Sequence, residues 1–362
     1  MGLRTVVGQV KLEVWHGQDP GDQHWGCPMR EGWGLKAHQQ MSPALEEKLA
    51  FTATLAGSYD AAALVADKWG CKIDGSVIHA LVQRLGGKAE AQTQERLKKV
   101  PQESQPQRKA SELALLMMDG WFARFRGPGW GKRTPKQARV EWHEIKNGVF
   151  YLHEQAGQTA GGRGVIADKT VVRWQGEPLE LGRRLHWEAL RGGLGRAQEQ
   201  LVLGDGMPWI WNVAADRWPE ARKLLDFWHG GQHLWELGRA RNGAEESKTK
   251  SWVEPRLHRL RHGREQAVLT EIAALQAPRG QAGEAVRKEQ HYFAGQAGRM
   301  NYQEIADHGW PIGSGPVESS CAQDQCRFKR PGQFWTALGF RHLSVLDEAR
   351  RNGHWDEIWL AA

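Results

Sequence analysis

Residues 199–229, EQLVLGDGMPWIWNVAADRWPEARKLLDFWH, decide the reading of the fold. EQLVLG is an apolar run too short for a helix and is closed by Asp205-Gly206, so it reads as a buried strand ending in a carboxylate. PWIWNVAADRW puts a proline at the first turn of a helix, where its missing N–H costs nothing. KLLDFWH (223–229) then reads as one more short strand. Strands followed by helices at this spacing predict an α/β sheet with carboxylates at strand ends.

The pattern extends in both directions. Upstream, LALLMM (113–118) is a second buried run that ends in Asp119-Gly120. Beyond the polar loop FRGPGWGKRTPKQ, VEWHEIKNGVFYLHE alternates like a strand, GRGVIADKTVVRW is β-rich, and PLELGRRLHWEALRGGL (178–194) has helical spacing with a glycine stop. Downstream, residues 230–299 are helical and polar throughout. In PIGSGPVESSCAQDQCRFKR (311–330) a Gly-Ser-Gly turn and Pro316 launch a helix whose first turn carries Glu318. That helix becomes basic at Arg327, Lys329 and Arg330. Lys329, about three helical turns past Glu318, shares its face and is placed to grip a phosphate backbone; a solvated helix end rich in cations is the plain alternative.

The first 86 residues read as a separate, mostly helical unit. TVVGQVKLEVW (5–15) predicts a short hairpin, and Ser42-Pro43 with Glu46 predicts a helix start. Residues 59–87, YDAAALVADKWGCKIDGSVIHALVQRLGG, read as a helix, a turn at Gly70 and a second helix over about 76–85. That is the shape of a helix-turn-helix, with Ser76, His79, Gln83 and Arg84 as candidate DNA contacts; a plain helical hairpin is the alternative. Residues 87–110 carry too few apolar side chains to build a core and predict a linker or solvated helix.

Three acidic residues carry the candidate chemistry. Asp119 and Asp205 each follow a buried strand, and Glu318 opens a helix. Taken singly, Asp-Gly reads as a turn, Glu318 as a charge suited to a helix N-terminus, and Asp168 as a rival for the first position. Taken together, carboxylates at the ends of adjacent strands and on a neighbouring helix converge, and such a cluster calls for hard divalent cations. Two Mg²⁺ ions about 3.5–4 Å apart suit in-line phosphoryl transfer.

The chain has 362 residues, 40% apolar and 25% charged, with a formal charge of +7. This is a globular balance with a modest basic excess compatible with a polyanionic partner. No apolar run approaches the ~18 residues of a membrane span. The N-terminal residues lack a secretion signal, and the four cysteines form no framework, so a reduced, cytoplasmic setting is expected. His24 and Cys27 would be at most half of a zinc site. Nineteen tryptophans suit stacking on bases or on sugars.

LGDGMPWIWNVAADRWPEARKLLDFWHGGQHLW, LMMDGWFARFRGPGWG, VEWHEIKNGVFY and IGSGPVESSCAQDQCRFKRPGQFW with the trailing RRNGHWDEIW resemble bacterial insertion-sequence transposases of the DDE type, closest to the Kra-type group. The resemblance covers roughly residues 110–360, and the N-terminal unit more loosely. It implies an RNase H-like core (111–229 and 311–362) interrupted by an all-helical insertion (230–310). It implies Asp119, Asp205 and Glu318 as the catalytic and metal-binding triad, Asp226 and His229 as an accessory pair, and Mg²⁺ (or Mn²⁺) as cofactor. The implied partners are transposon ends and target DNA, bound by a homo-oligomer, with Trp209, Trp211 and Trp335 available to stack on bases. Relatives often carry more N-terminal sequence, some with cysteine pairs, so this N-terminal unit reads as a truncated copy, a different start or a natural short form. A transposase-derived DNA binder without nuclease activity is the second reading. A carbohydrate-active enzyme, built on tryptophans and paired carboxylates, is a distant third.

Overall fold

The computed structural model describes residues 2–21, 23–35, 39–99, 111–131, 139–243 and 245–360. The chain divides into two compact units, Met1–Arg96 with Ala123–Trp142 and Asp324–Ala362, and Leu97–Phe122 with His143–Gln323. The dividing lines fall inside single elements. Among the described residues no helix is long and apolar enough to cross a membrane.

The first unit opens with a hairpin, β1 (Gly2–Thr5) and β2 (Gly8–Lys11), followed by the minimal pair β3 (Gly17–Gln18) and β4 (Trp25–Gly26) and a short helix α1 (Pro28–Gly32). The hairpin turns earlier than the alternation over 5–15 suggests. Gly8 (φ +114°) starts the second strand and does not sit at the hairpin's centre. Helix α2 (Pro43–Leu55) begins where expected: Ser42 Oγ accepts from Leu45 N, at 3.3 Å. Helix α3 (Tyr59–Asp67) is capped by Ser58 in the same way, and Gly70 (φ +77°) makes the turn into α4 (Gly75–Lys98).

Helix α4 runs well past Leu85, where the sequence reading stopped it at the Gly86-Gly87 pair. Packing explains the glycines. A Cβ on Gly86 would lie 2.4 Å from the His342 carbonyl oxygen, so only a glycine admits the backbone of the C-terminal helix there. A Cβ on Gly87 would meet nothing closer than 3.6 Å.

The second unit is built on a five-stranded mixed sheet. Its strands are β5 (Ser111–Arg126), β6 (Val140–Leu152), β9 (Thr170–Gln175), β10 (Ala197–Gly204) and β11 (Arg222–Leu225), and β7 (Ala156–Gln158) pairs with β8 (Gly164–Ile166) in a side hairpin. The order across the sheet is β11-β10-β5-β6-β9. β5, β10 and β11 are parallel, and β9 is antiparallel to β6. Helices α5 (Pro178–Arg191) and α6 (Pro208–Arg217) cover one face: Leu181, Leu185, Ile210 and Val213 pack with Ala114, Leu116 and Met118 in one core. Leu113, Leu115 and Met117 point to the opposite face and are buried as well, each worth about 1.5–3 kcal/mol of apolar burial. This two-sided burial is why the run has no alternation.

Two strand ends differ from the sequence reading. β5 does not stop at Asp119 but runs through Asp119-Gly120 to Arg126, because β6 continues beside it and no reversal is needed. β11 ends at Leu225, and Asp226 is instead the N-cap of α7 (Phe227–Asn242). The polar helical stretch forms α7, α8 (Glu246–Arg261), α9 (Glu265–Ala273), α10 (Gln281–Gln296) and α11 (Tyr302–Asp307). α12 (Gly315–Phe328) carries Glu318 in its first turn but ends before Lys329 and Arg330, and α13 (Ala337–Arg351) and α14 (Glu357–Leu360) close the chain.

Gly86→Ala is expected to destabilise the protein by about 1–3 kcal/mol through overpacking. Gly87→Ala should be neutral or stabilising by up to ~1 kcal/mol through helix propensity. Chemical denaturation of the two variants beside wild type checks the contrast; equal effects would refute the close approach.

Candidate active site

The site is assembled by strand register. On β10 and β5 the last paired residues are Gly204 and Met118, and on β10 and β11 they are Gly204 and Leu225. The next residue on each chain is an aspartate: Asp205, Asp119 and Asp226. Parallel strands spaced about 4.8 Å apart therefore bring three carboxyl groups to one level of the sheet.

Asp119 and Asp205 are half-buried and poorly compensated. Asp119 Oδ1 accepts the Gly120 N–H at 2.6 Å, and Asp205 Oδ1 accepts the Met207 N–H at 3.0 Å. Burial pushes the Asp119 carboxyl above the usual range, with the charge of Asp205 adding to it; the Gly120 N–H, the Cys321 thiol and His229 oppose the rise. Burial likewise raises Asp205, helped by Glu144 and opposed by the Met207 N–H and His229. Glu144 on β6 was not singled out in the sequence. It sits where a Cβ on Gly120 would be, 2.6 Å from its Oε1, and is ion-paired to Lys146 at 2.8 Å.

Asp226 has the opposite character. It is fully buried, and donors surround both oxygens: His229 N at 2.7 Å and the His229 ring at 3.2 Å on Oδ1, and Ser314 N and Oγ on Oδ2. Burial alone would raise its pKa, but these hydrogen bonds outweigh it and hold the group below the usual carboxylate range. Donating its ring N–H to the Asp226 carboxylate raises the pKa of His229 against a burial penalty, and the charges of Asp226, Asp205 and Glu318 add to the rise.

Glu318 is nearly half exposed, with Oε1 3.9 Å from His229 Nδ1 and 2.9 Å from Ser314 Oγ. Since Ser314 Oγ is also 2.9 Å from Asp226 Oδ2, its single proton can serve only one carboxylate at a time.

Helix α10 supports the turn after β10. Tyr292 donates to the Asp205 carbonyl at 3.1 Å and Gln296 to the Gly206 carbonyl at 3.0 Å. Gly206 (φ +96°) lies under the tyrosine, where a Cβ would be 2.7 Å from the hydroxyl. His233 stacks on Tyr292 at 3.6 Å and is tied to the buried Glu289 at 2.6 Å. A cavity of about 510 Å³, lined by His229, His233, Tyr292 and Arg299 among others, opens beside Asp205. No local motif announces Tyr292, Gln296 or Ser314; their roles arise from packing.

Ligand atoms of Asp226, His229 and Glu318 lie within 4.8 Å of one another, and so do those of His233, Glu236 and Glu289. Asp226 is already saturated by N–H and O–H donors, which suits a brace better than a metal ligand. Asp119, Asp205 and Glu318 are oxygen donors of the kind hard dications prefer, but among the described residues the three do not form a metal-ligating group of their own.

The other residues singled out lie elsewhere. Asp168 is exposed between β8 and β9, with Gln155 Nε2 3.4 Å away. Cys27 is buried, and neither it nor His24 joins a metal-ligating group among the described residues. Trp211 and Trp335 are buried core residues, which corrects the expectation that they stack on bases, and Trp209 is half-buried against the same core as Trp211.

In the first unit, Ser76 and His79 are exposed, Gln83 meets the His342 ring at 2.9 Å, and Arg84 is paired with Glu46 at 2.8 Å. Arg327 is also corrected as a surface contact: it is buried, and its guanidinium donates to the Ala53 carbonyl at 3.2 Å. Arg330 lies against Gly57, and Lys329 lies 5.8 Å from the Trp142 ring.

No family model and no curated protein matches the chain. Among solved structures, the Drosophila P element transposase strand transfer complex is similar over 87% of this chain and 80% of that one, at 10% identity and a TM-score of 0.26. A likeness that slight carries no argument.

Because the folded-state pKa values of Asp119 and Asp205 lie above their unfolded values, the two groups favour folding at low pH. They cost stability as pH rises through the carboxylate range and above. Asp119→Asn and Asp205→Asn should each raise the metal-free melting temperature at neutral pH, by roughly 2 °C or more, with the gain closing in acid. Added Mn²⁺ should stabilise wild type and do so less in either variant. A melting temperature that drops at neutral pH in both variants would contradict the assigned electrostatics.

Proposed function

We propose that the chain is a DDE-type DNA transposase, binding the ends of its own element and catalysing metal-dependent cleavage and strand transfer at Asp119, Asp205 and Glu318. The observation that carries the reading is the register that makes Asp119 and Asp205 neighbours on parallel strands, with His229 and Glu318 in the same electrostatic cluster. The strand order supports an RNase H-like core: counted from β5, the five strands lie 3-2-1-4-5, with the first, fourth and fifth parallel. In this reading the N-terminal unit recognises the ends, and more than one copy is needed to bring two ends together.

Asp119, Asp205 and Glu318 would hold the metal. Bound there, Mg²⁺ or Mn²⁺ would supply the positive charge that activates an attacking oxygen and steadies a leaving one. The protein's own contribution is alignment. Gly120 N–H and Met207 N–H each fix one oxygen of a carboxylate. Asp226 holds the His229 imidazole and the Ser314 loop, so the start of α12, and with it Glu318, is tied to the end of β11. His229 retains a proton more readily than a free imidazole, which offsets the acidic charge and provides a proton beside the reacting groups.

DNA fragments flanking the protein's own gene, incubated with Mg²⁺, Mn²⁺ or EDTA, should be cut at the repeat boundaries only with metal. Asp205→Asn should lower cutting by about 10³-fold while sparing DNA binding. Specific binding without cutting in wild type would instead support a transposase-derived DNA binder.

A further inference from the structure

One surface of the first unit has a composition that the acidic site does not use. In the part of β5 that belongs to this unit, Ala123 and Phe125 are buried while Arg124 and Arg126 alternate outward. Each cation lies over an aromatic ring. Arg124 is 5.1 Å from Phe334 and 5.9 Å from Trp142, Arg126 is 5.8 Å from Trp130, and Lys329 is 5.8 Å from Trp142. Trp130 and Phe334 are themselves 4.6 Å apart.

None of the three cations is ion-paired among the described residues. Arg124 donates to the Arg330 carbonyl, Arg126 to the Phe334 carbonyl at 3.1 Å, and Lys329 to the Gln325 side chain at 3.2 Å. Neutral acceptors hold these side chains in place without cancelling their charge. Trp142 is 56% exposed although two cations flank it. A large apolar ring kept in water costs stability, and cations without anions repel one another, so the arrangement is explained by a ligand that brings both negative charge and flat apolar faces. Single-stranded nucleic acid has both; a duplex hides its base faces in its own stack. Arg126 and Phe334 also wall a cavity of about 510 Å³ in this unit, which Ser76, His79 and Gln83 line from α4. The stripe therefore continues toward three of the four residues that the helix-turn-helix reading singles out.

We propose that Arg124, Arg126 and Lys329 with Trp142, Phe334 and Trp130 form a track for single-stranded DNA, the cations following the phosphates and the exposed tryptophan stacking on a base. The track rests on the nucleic-acid side of the function proposed above and not on its catalytic side.

The test titrates the full chain into a labelled oligothymidylate of about 20 nucleotides and into a duplex of equal length. Trp142→Ala should weaken oligothymidylate binding about tenfold and leave duplex binding within about twofold. Arg124→Gln should flatten the salt dependence of single-strand binding, by about 0.7 in log–log slope for one lost phosphate contact. An unchanged melting temperature and an unchanged response to Mn²⁺ verify that each variant is folded. Unaltered oligothymidylate affinity in both variants, or equal loss on single strand and duplex in Trp142→Ala, would overturn the track. Metal-dependent cutting that persists alongside such a result would leave the catalytic proposal standing, so the two ideas fail separately.

Discussion

Two carboxyl groups on neighbouring parallel strands, both partly removed from water, repel each other, and the backbone register leaves them no way to part. Much of the second unit can be understood from that constraint. The register of β5, β10 and β11 is set by apolar residues far more numerous than the aspartates, so the sheet's burial holds the acids together against their own repulsion. Sites that do chemistry are where such opposed terms are expected to meet.

The surroundings divide the three aspartates into two kinds. Asp226 receives donors on both oxygens and becomes an anionic anchor, joining the start of α7 to the loop before α12. Asp119 and Asp205 each accept from the backbone just after them, and Asp119 also meets the Cys321 thiol, but these donors do not offset the burial that raises both carboxyls. The same residue type at the same level of the sheet thus takes different roles according to how many N–H and O–H groups face it. Rigidity around Asp205 comes from α10, whose Tyr292 and Gln296 hold the carbonyls of the turn, with Glu289 and His233 holding the tyrosine ring.

The first unit makes a parallel distinction among its arginines. Arg327 spends its donors on the Ala53 carbonyl inside the fold, a use that satisfies a buried backbone oxygen. Arg124 and Arg126 reach neutral carbonyls too, but at the surface and beside aromatic rings, where their charge remains available. Counting basic residues along the chain cannot separate these cases, because exposure depends on what packs around each side chain in the folded unit.

The apolar runs ending in aspartate, the proline-led helices and the glycine stop after α5 were legible in the chain, since each is governed by neighbours a few residues away. The glycine pair in α4 and the Asp119-Gly120 step were misread for the same reason: locally both look like breaks, and only contacts with His342, in the one case, and with β6 and Glu144, in the other, make them continuous. The positions of Asp205 just after a strand and Glu318 in the first turn of a helix were legible in the chain, whereas Asp119 lies inside β5 and not at its end. Glu144, Ser314, Tyr292 and Gln296 could not be picked out, because nothing near them in the chain marks them. The sequence by itself determined where the buried strands and most helices would begin, and that Asp205 would follow one strand and Glu318 open a helix. Only the tertiary structure decided which carboxylate is held low by surrounding donors and which is raised by burial, because hydrogen-bond supply and burial come from segments remote in the chain.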